Sequence, residues 1–203
     1  DRPRVALVHD WLTGMRGGEK VLEVLCERFP EAHLFTLVHV PGSVSPVIER
    51  RPIVTSFVQR LPFAARRYRE YLPLFPMAVE QFDFEGFDLV LSTSHCCVKS
   101  VIRPASARHL CYCLTPMRYA WDQFDAYFGV GRVGWAAHYG LYRPVLGHVA
   151  RWDARTAPRV GRSIAFGCKE ISNMLNGPGG SGSFPPLLVG VSSPQPLTQA
   201  STN

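Results

Sequence analysis

The stretch that decides the fold runs from Arg4 to Phe29: RVALVH (Arg4–His9), DWLTGMRGG (Asp10–Gly18) and EKVLEVLCERF (Glu19–Phe29). The first piece is a short apolar run of the kind that forms a strand buried on both faces. The second carries three glycines and reads as a loop. In the third, Val21, Leu22, Leu25 and Phe29 recur at helical spacing, and Pro30 stops the helix because its ring cannot continue one. A buried strand, a glycine-rich turn and an amphipathic helix are the opening of a βαβ unit.

The same alternation continues along the chain. Strands are expected at Leu34–Val38, Ile53–Phe57, Phe87–Ser92, His109–Leu114 and Arg162–Phe166. Helices are expected at Pro62–Gln81, interrupted around Pro73 and Pro76, at Tyr119–Phe128 and at Tyr139–Ala157. Strands alternating with helices predict an α/β fold: a Rossmann-like, doubly wound parallel sheet with helices on both faces. Ligands of such sheets bind beyond the carboxyl ends of the strands, so the loops after His9, Ser92 and Leu114 are the ones to inspect.

The 203 residues are 46% hydrophobic and 19% charged, an ordinary globular composition that supports one core. No apolar run approaches the roughly 18 residues that a membrane-spanning helix needs. No charged-then-apolar leader is visible, and the expected location is cytoplasmic, with peripheral contact at the inner face of the membrane as an option. The six cysteines (Cys26, Cys96, Cys97, Cys111, Cys113 and Cys168) form no CxxC pair and read as small reduced apolar residues. The net charge of +6 favours anionic partners without choosing one. Every charged side chain lies at or before Glu170, and Ile171–Asn203 is uncharged and rich in Gly, Pro and Ser. Residues 1–165 are therefore expected to be the folded domain and 166–203 a loose tail.

Four constellations could carry chemistry. The first is Thr13–Lys20, TGMRGGEK, where Gly17 and Gly18 leave amide N–H groups free at a helix N-terminus beside Glu19 and Lys20. This suits a phosphate, or it is only a tight turn. The spacing is neither GxGxxG nor GxxxxGK[ST], which argues against a nicotinamide oxidoreductase or a P-loop enzyme. The second is Ser92-Thr93-Ser94-His95. Its hydroxyls and imidazole could bind a sugar or phosphate, and Ser94 could cap a short helix from His95. No GxSxG elbow supports a hydrolase. The third is TPMRYAWD (Thr115–Asp122), where Thr115 and Arg118 follow a strand end and Tyr119 and Trp121 could stack on a sugar or pack in the core. The fourth is Phe57–Tyr71, with Arg60, Arg66, Arg67 and Arg69 among aromatics. It reads either as a solvated helix face or as an interfacial patch for anionic lipid. No nucleic-acid motif is present, and no metal-ligand spacing appears.

Taken together, RVALVHDWLTGMRGGEKVLEVLCERFP, FTLVHVPGSVSP, YLPLFPMAVEQFD, FDLVLSTSH and TPMRYAWDQFDAYFG resemble the N-terminal half of bacterial family-4 glycosyltransferases, over about Arg4–Arg162. The resemblance implies one lobe of a two-lobed GT-B architecture, the lobe that mainly holds the acceptor. It implies transfer of a hexosyl group, with retention, from a nucleotide-diphosphate sugar to a saccharide or lipid-linked saccharide, without an essential metal or other cofactor. By that resemblance Gly17 and Gly18 match the glycine loop, His95 the position near the acceptor pocket, and Thr115, Pro116 and Arg118 the loop after the next strand. The family pattern has a histidine where this chain has Leu114, which cannot hydrogen-bond. The similarity fades after Ala165, where the family continues into a donor lobe. A shifted reading frame or a truncated gene would produce the uncharged tail, and such a lobe is expected to be inactive by itself. The alternative is a non-catalytic Rossmann-like binding module for a nucleotide, a lipid-linked saccharide or an anionic membrane surface.

Overall fold

The computed structural model describes residues 3–114, 130–134, 138–160 and 162–165. Six strands form one sheet in the order β3-β2-β1-β4-β5-β6. They are β1 (Val5–Leu12), β2 (His33–His39), β3 (Ile53–Thr55), β4 (Leu89–Ser94), β5 (Arg108–Cys113) and β6 (Arg162–Ala165). Every pairing is parallel. The helices are α1 (Gly17–Arg28), α2 (Pro46–Glu49), α3 (Ala64–Arg67), α4 (Phe75–Glu80), α5 (Val130–Val133) and α6 (Arg143–Thr156). The expected doubly wound α/β sheet is what forms. Chain order runs outward from β1 in one direction and then, from β4, in the other, which creates a crevice at the carboxyl ends of β1 and β4.

All eight residues of β1 are buried. On one face Val5 and Leu7 pack with Leu34 against Leu22 and Cys26 of α1 and Ile48 of α2. On the other, Ala6, Val8, Phe35 and Val90 pack against Phe75, Ala78 and Val79 of α4 and Leu146 and Val149 of α6. Phe82, Phe84 and Phe87 extend that second core around Phe35, with ring centroids 4.8–5.7 Å away. Edge-to-face and tilted rings at such distances add stabilisation beyond the area they bury.

Three expectations are corrected. The first strand does not stop at His9: Asp10, Trp11 and Leu12 belong to it, because Trp11 and Leu12 pair with Val38 and His39 and are buried. The segment 62–81 is less α-helical than expected. It breaks into the single turn of α3, a 3₁₀ stretch over Tyr68–Leu74 containing Pro73, and α4 with Pro76 in its first turn. Ser94 caps no helix; the 3₁₀ turn that follows is Val98–Ser100 and begins after Cys97. The expected helix at 139–157 appears as α6, preceded by a π-helical turn at His138–Tyr142. The readings placed on 115–129 and on 166–203 lie outside the described residues.

A polar network fixes α6 to the sheet. Lys99, just beyond β4, forms a buried ion pair with Asp153. Burial disfavours the Lys99 cation, but the carboxylate outweighs it and holds the amine above its ordinary pKa. Thr156 Oγ1 donates to Ser100 Oγ at 2.7 Å. Arg159 Nη1 donates to Glu80 Oε1 at 2.7 Å and to the Ser100 carbonyl at 3.0 Å, and Trp152 Nε1 donates to the same Glu80 oxygen at 2.9 Å.

His109 on β5 is buried, with Nε2 2.8 Å from Ser92 Oγ. Burial, and then the nearby Arg103 guanidinium, push its pKa down to about 4. A folded-state pKa below the unfolded value of about 6.5 means that the unfolded chain binds more protons in between, so stability is lost as pH falls through that window. Urea unfolding should show the native state losing about 2 kcal/mol between pH 6.5 and pH 5 from this residue. His109→Gln should flatten the curve over that range; equal pH slopes for the two proteins would refute the assignment.

Candidate functional site

The site is the crevice where β1 and β4 part. β1 pairs with β2 as far as Leu12↔His39 but with β4 only as far as His9↔Thr93. Beyond that register the chain after Ser94 turns away, and Asp10 fills the gap. Its Oδ2 accepts from the amides of His95 (2.7 Å) and Cys96 (2.9 Å), and its Oδ1 from those of Cys97 (2.8 Å) and Val98 (3.1 Å). Successive N–H groups in a turn make a concave anion site. Here the chain's own carboxylate occupies it.

His9 and Asp10 point to opposite faces, as neighbours in a strand do, and the alternation breaks after Asp10, because Trp11 packs on the same side as Ala6 and Val8. Asp10 faces the 95–98 turn. His9 faces α1: its Nδ1 lies 2.7 Å from Thr93 Oγ1 on neighbouring β4, and its Nε2 3.7 Å from Glu19 Oε1 of α1. The latter is an ion-pair distance and too long for a hydrogen bond, so Nε2 is buried without a hydrogen-bond partner. Glu19 lies on the same stripe of α1 as Leu22 and Cys26, and its Oε2 accepts from the Arg16 amide at 3.0 Å, which closes the first turn of the helix. Burial opposes ionisation of Glu19, but His9 and the backbone N–H groups of Glu19 and Arg16 hold its carboxyl below the ordinary range. Burial opposes ionisation of Asp10 too, and it is overridden by His95, by the amides of Cys97 and His95, and by His9.

His95 completes the cluster. Its Nδ1 is 3.3 Å from Asp10 Oδ2, its ring stands edge-on to Trp11 with centroids 4.4 Å apart, and the His9 ring is 5.5 Å away. Its side chain keeps 24% of its surface open, whereas those of Asp10 and His9 are closed. Burial pushes its pKa down; Asp10 and Glu19 pull it up, while His9 and Arg16 add to the fall, and the net shift is downward. At pH 7 the ring is therefore mostly the neutral imidazole, able to both donate and accept.

The structure brings together four of the expected site residues, Gly17, Gly18, Glu19 and His95, at one mouth. They do not share one role. A Cβ on Gly18 would sit 2.8 Å from Leu114 Cδ1 and 3.4 Å from His9 Cε1, while one on Gly17 would meet nothing within 4 Å. Gly18 thus permits the close approach of α1, β1 and the end of β5. Leu114 fills the space above Gly18. Glu19 is buried and binds the chain itself, and Lys20 is exposed. The hydroxyls expected to face a ligand point inward: Ser92 is committed to His109 and Thr93 to His9, and Ser94 is buried. Thr115, Arg118 and Tyr119 lie outside the described residues.

His9, Asp10 and Trp11 do not stand out as a group in the sequence because the apolar run stops at His9, three residues before β1 does. The signal was present as two ionisable residues at the end of an otherwise apolar strand. Asp10, Cys96 and Cys97 also stand close enough to suggest a metal centre. The donor set does not suit a cation. All four acceptor positions of the Asp10 carboxylate are taken by amides, and burial pushes both thiols above their ordinary pKa, which disfavours the thiolate a metal requires. The five described cysteines form no disulfide and are buried. No described helix is long and apolar enough to cross a membrane.

Comparison of the chain with protein families, with curated proteins and with solved structures finds no match among any of them.

Replacing Asp10 tests the keystone. Asp10→Asn keeps the shape but turns an NH2 group toward amides that must donate, so unfolding free energy should fall by about 3–5 kcal/mol, measured by urea denaturation at pH 7. A loss below about 1 kcal/mol would mean that the turn holds itself.

Proposed function

We infer that the chain serves as the acceptor-side lobe of a retaining glycosyltransferase. It would help move a hexosyl group from a nucleotide-diphosphate sugar to a saccharide or lipid-linked saccharide. The observation that carries this reading is the partly open His95 over the switch-point crevice, beside the N-terminus of α1, in the segments that resemble the family-4 enzymes. Asp10 fixes the imidazole from behind, and Trp11 fixes its plane. A neutral, oriented imidazole can hydrogen-bond a sugar hydroxyl. Exposed Arg16 and Lys20 at the same mouth supply positive charge for phosphate oxygens. Glu19 and His9 support the wall and need not touch substrate.

The second reading is a non-catalytic binding module. It is favoured by the internal use of Asp10, Glu19, Ser92 and Thr93, which leaves His95 as the one partly open member of the buried polar cluster.

Titration of the isotopically labelled chain with UDP-glucose, GDP-mannose and a polyprenyl-linked saccharide analogue, followed by NMR, separates these readings. The transferase lobe predicts saturable shifts at the His95 ring and the Gly17 and Gly18 amides for at least one saccharide ligand. His95→Ala should abolish them while the circular dichroism stays native. Shifts produced equally by nucleotides lacking a sugar would favour the binding module, and no shift at His95 with any ligand would reject both.

A further inference from the structure

We propose that the surface around Phe63, Arg60 and Arg66 docks the protein onto a membrane of anionic phospholipid, with the Phe63 ring entering the interface. Phe63 is the one described non-glycine residue with positive φ (56°), and its side chain is 72% exposed. A left-handed conformation is costly for a bulky residue, and an exposed ring returns nothing to the fold of the chain. The strain is held by the surroundings: the Phe63 carbonyl accepts from the Arg66 and Arg67 amides at 2.9 and 2.8 Å, and Tyr71 Oη donates to the Pro62 carbonyl at 2.7 Å. Strain maintained around a solvent-facing aromatic side chain points to an external partner.

The charges around it give that partner's sign. Arg60, Arg66, Arg67 and Arg69 all lie on this stretch and are exposed, against a single acidic residue, Glu70. Glu70 pairs with Arg67 at 2.7 Å, and Arg69 lies over the Tyr68 ring at 5.0 Å. Arg60 and Arg66 have no acidic partner among the described residues. A protruding apolar side chain on a stretch of exposed arginines complements a surface whose charge lies at the head groups and whose apolar phase lies just beneath. A nucleic-acid strand would want several aromatic faces along a groove, whereas this patch presents one protruding ring.

The patch also has a fixed relation to the crevice. Tyr68, buried beneath it, packs its ring against Trp11 at 4.9 Å, tilted by 45°, and Trp11 meets His95 at 4.4 Å. Docking would therefore hold the crevice at a set distance from the lipid surface. If the transferase reading holds, that selects an acceptor carried on a lipid; the docking itself does not rest on that reading.

Flotation of the full chain with vesicles tests the docking directly, with no ligand of the crevice present. The chain should float with phosphatidylglycerol–phosphatidylcholine vesicles in low salt and not with pure phosphatidylcholine. Arg60→Gln with Arg66→Gln should lower the partition coefficient about thirtyfold. Phe63→Gly relieves the backbone strain, so its melting temperature should stay the same or rise while vesicle binding falls at least severalfold. Four results would overturn the proposal: no flotation with anionic vesicles, equal flotation with neutral ones, unchanged binding by the Phe63→Gly variant, or release by inorganic phosphate at constant ionic strength. Binding to single-stranded RNA without binding to vesicles would assign the patch to a different partner and overturn it as well.

Discussion

Four backbone N–H groups, those of His95, Cys96, Cys97 and Val98, converge on the two oxygens of one fully buried carboxylate, Asp10. Neither side of this arrangement is tolerable alone. A carboxylate without partners in that position would carry a desolvation cost of several kcal/mol, and four buried amides without an acceptor would each carry a penalty of roughly 1–3 kcal/mol. Together they satisfy one another across 85 or more residues of sequence. The contact occurs at the register where β1 loses β4 as a hydrogen-bonding neighbour, so it substitutes for the ladder that the switch point interrupts. The place where an open parallel sheet is weakest is thus held by a charge-assisted lock, and the position of His95 follows from it.

Most of the fold was legible because β1, β2, β4 and β5 are apolar runs bounded by turn residues, and α1 has a clear helical stripe. Parallel strands buried on both faces need such runs, so the sheet class follows from composition alone. What misled was Asp10. An aspartate after a strand ordinarily announces a loop, and only tertiary structure reveals that this one stays in β1 to receive amides from residues far along the chain. The 62–81 segment failed for a local reason. Pro73 and Pro76 remove donors close enough together that the stretch adopts short 3₁₀ and α turns, and the core anchors Tyr68, Leu72 and Phe75 impose spacings that one regular helix would not satisfy.

The site was half legible. Gly18 and His95 were recognisable because glycines before a helix and polar residues after a buried strand carry local meaning. The sequence could not show that Gly17 and Gly18 differ. Only the proximity of Leu114 and His9 makes Gly18 a close-approach position and leaves Gly17 as an open one. Nor could it show that the hydroxyls of Ser92 and Thr93 are consumed by two histidines from neighbouring strands, since those pairings depend on the register of β4 with β1 and β5.

The segment following β4 is gripped from both sides, and this constrains what the crevice can do. Asp10 holds residues 95–98 from β1. Lys99 and Ser100 are held from the other side by Asp153, Thr156 and Arg159 at the end of α6 and in the turn that follows it. A wall fixed at six consecutive residues cannot adapt much to a ligand, so His95 presents a preorganised surface and a ligand spends little binding energy ordering it. The opposite wall differs. Between Leu12 and α1 the chain passes through Gly14, at φ 151°, and exposed Met15 and Arg16; a 3.5 Å contact from Thr13 to Tyr68 and the Glu19 carboxylate on the Arg16 amide restrain it. Any adjustment of shape on binding is therefore concentrated in residues 13–16. That loop also rests, through Tyr68, on the element that carries Phe63, so the deformable wall and the proposed docking surface meet at one side chain.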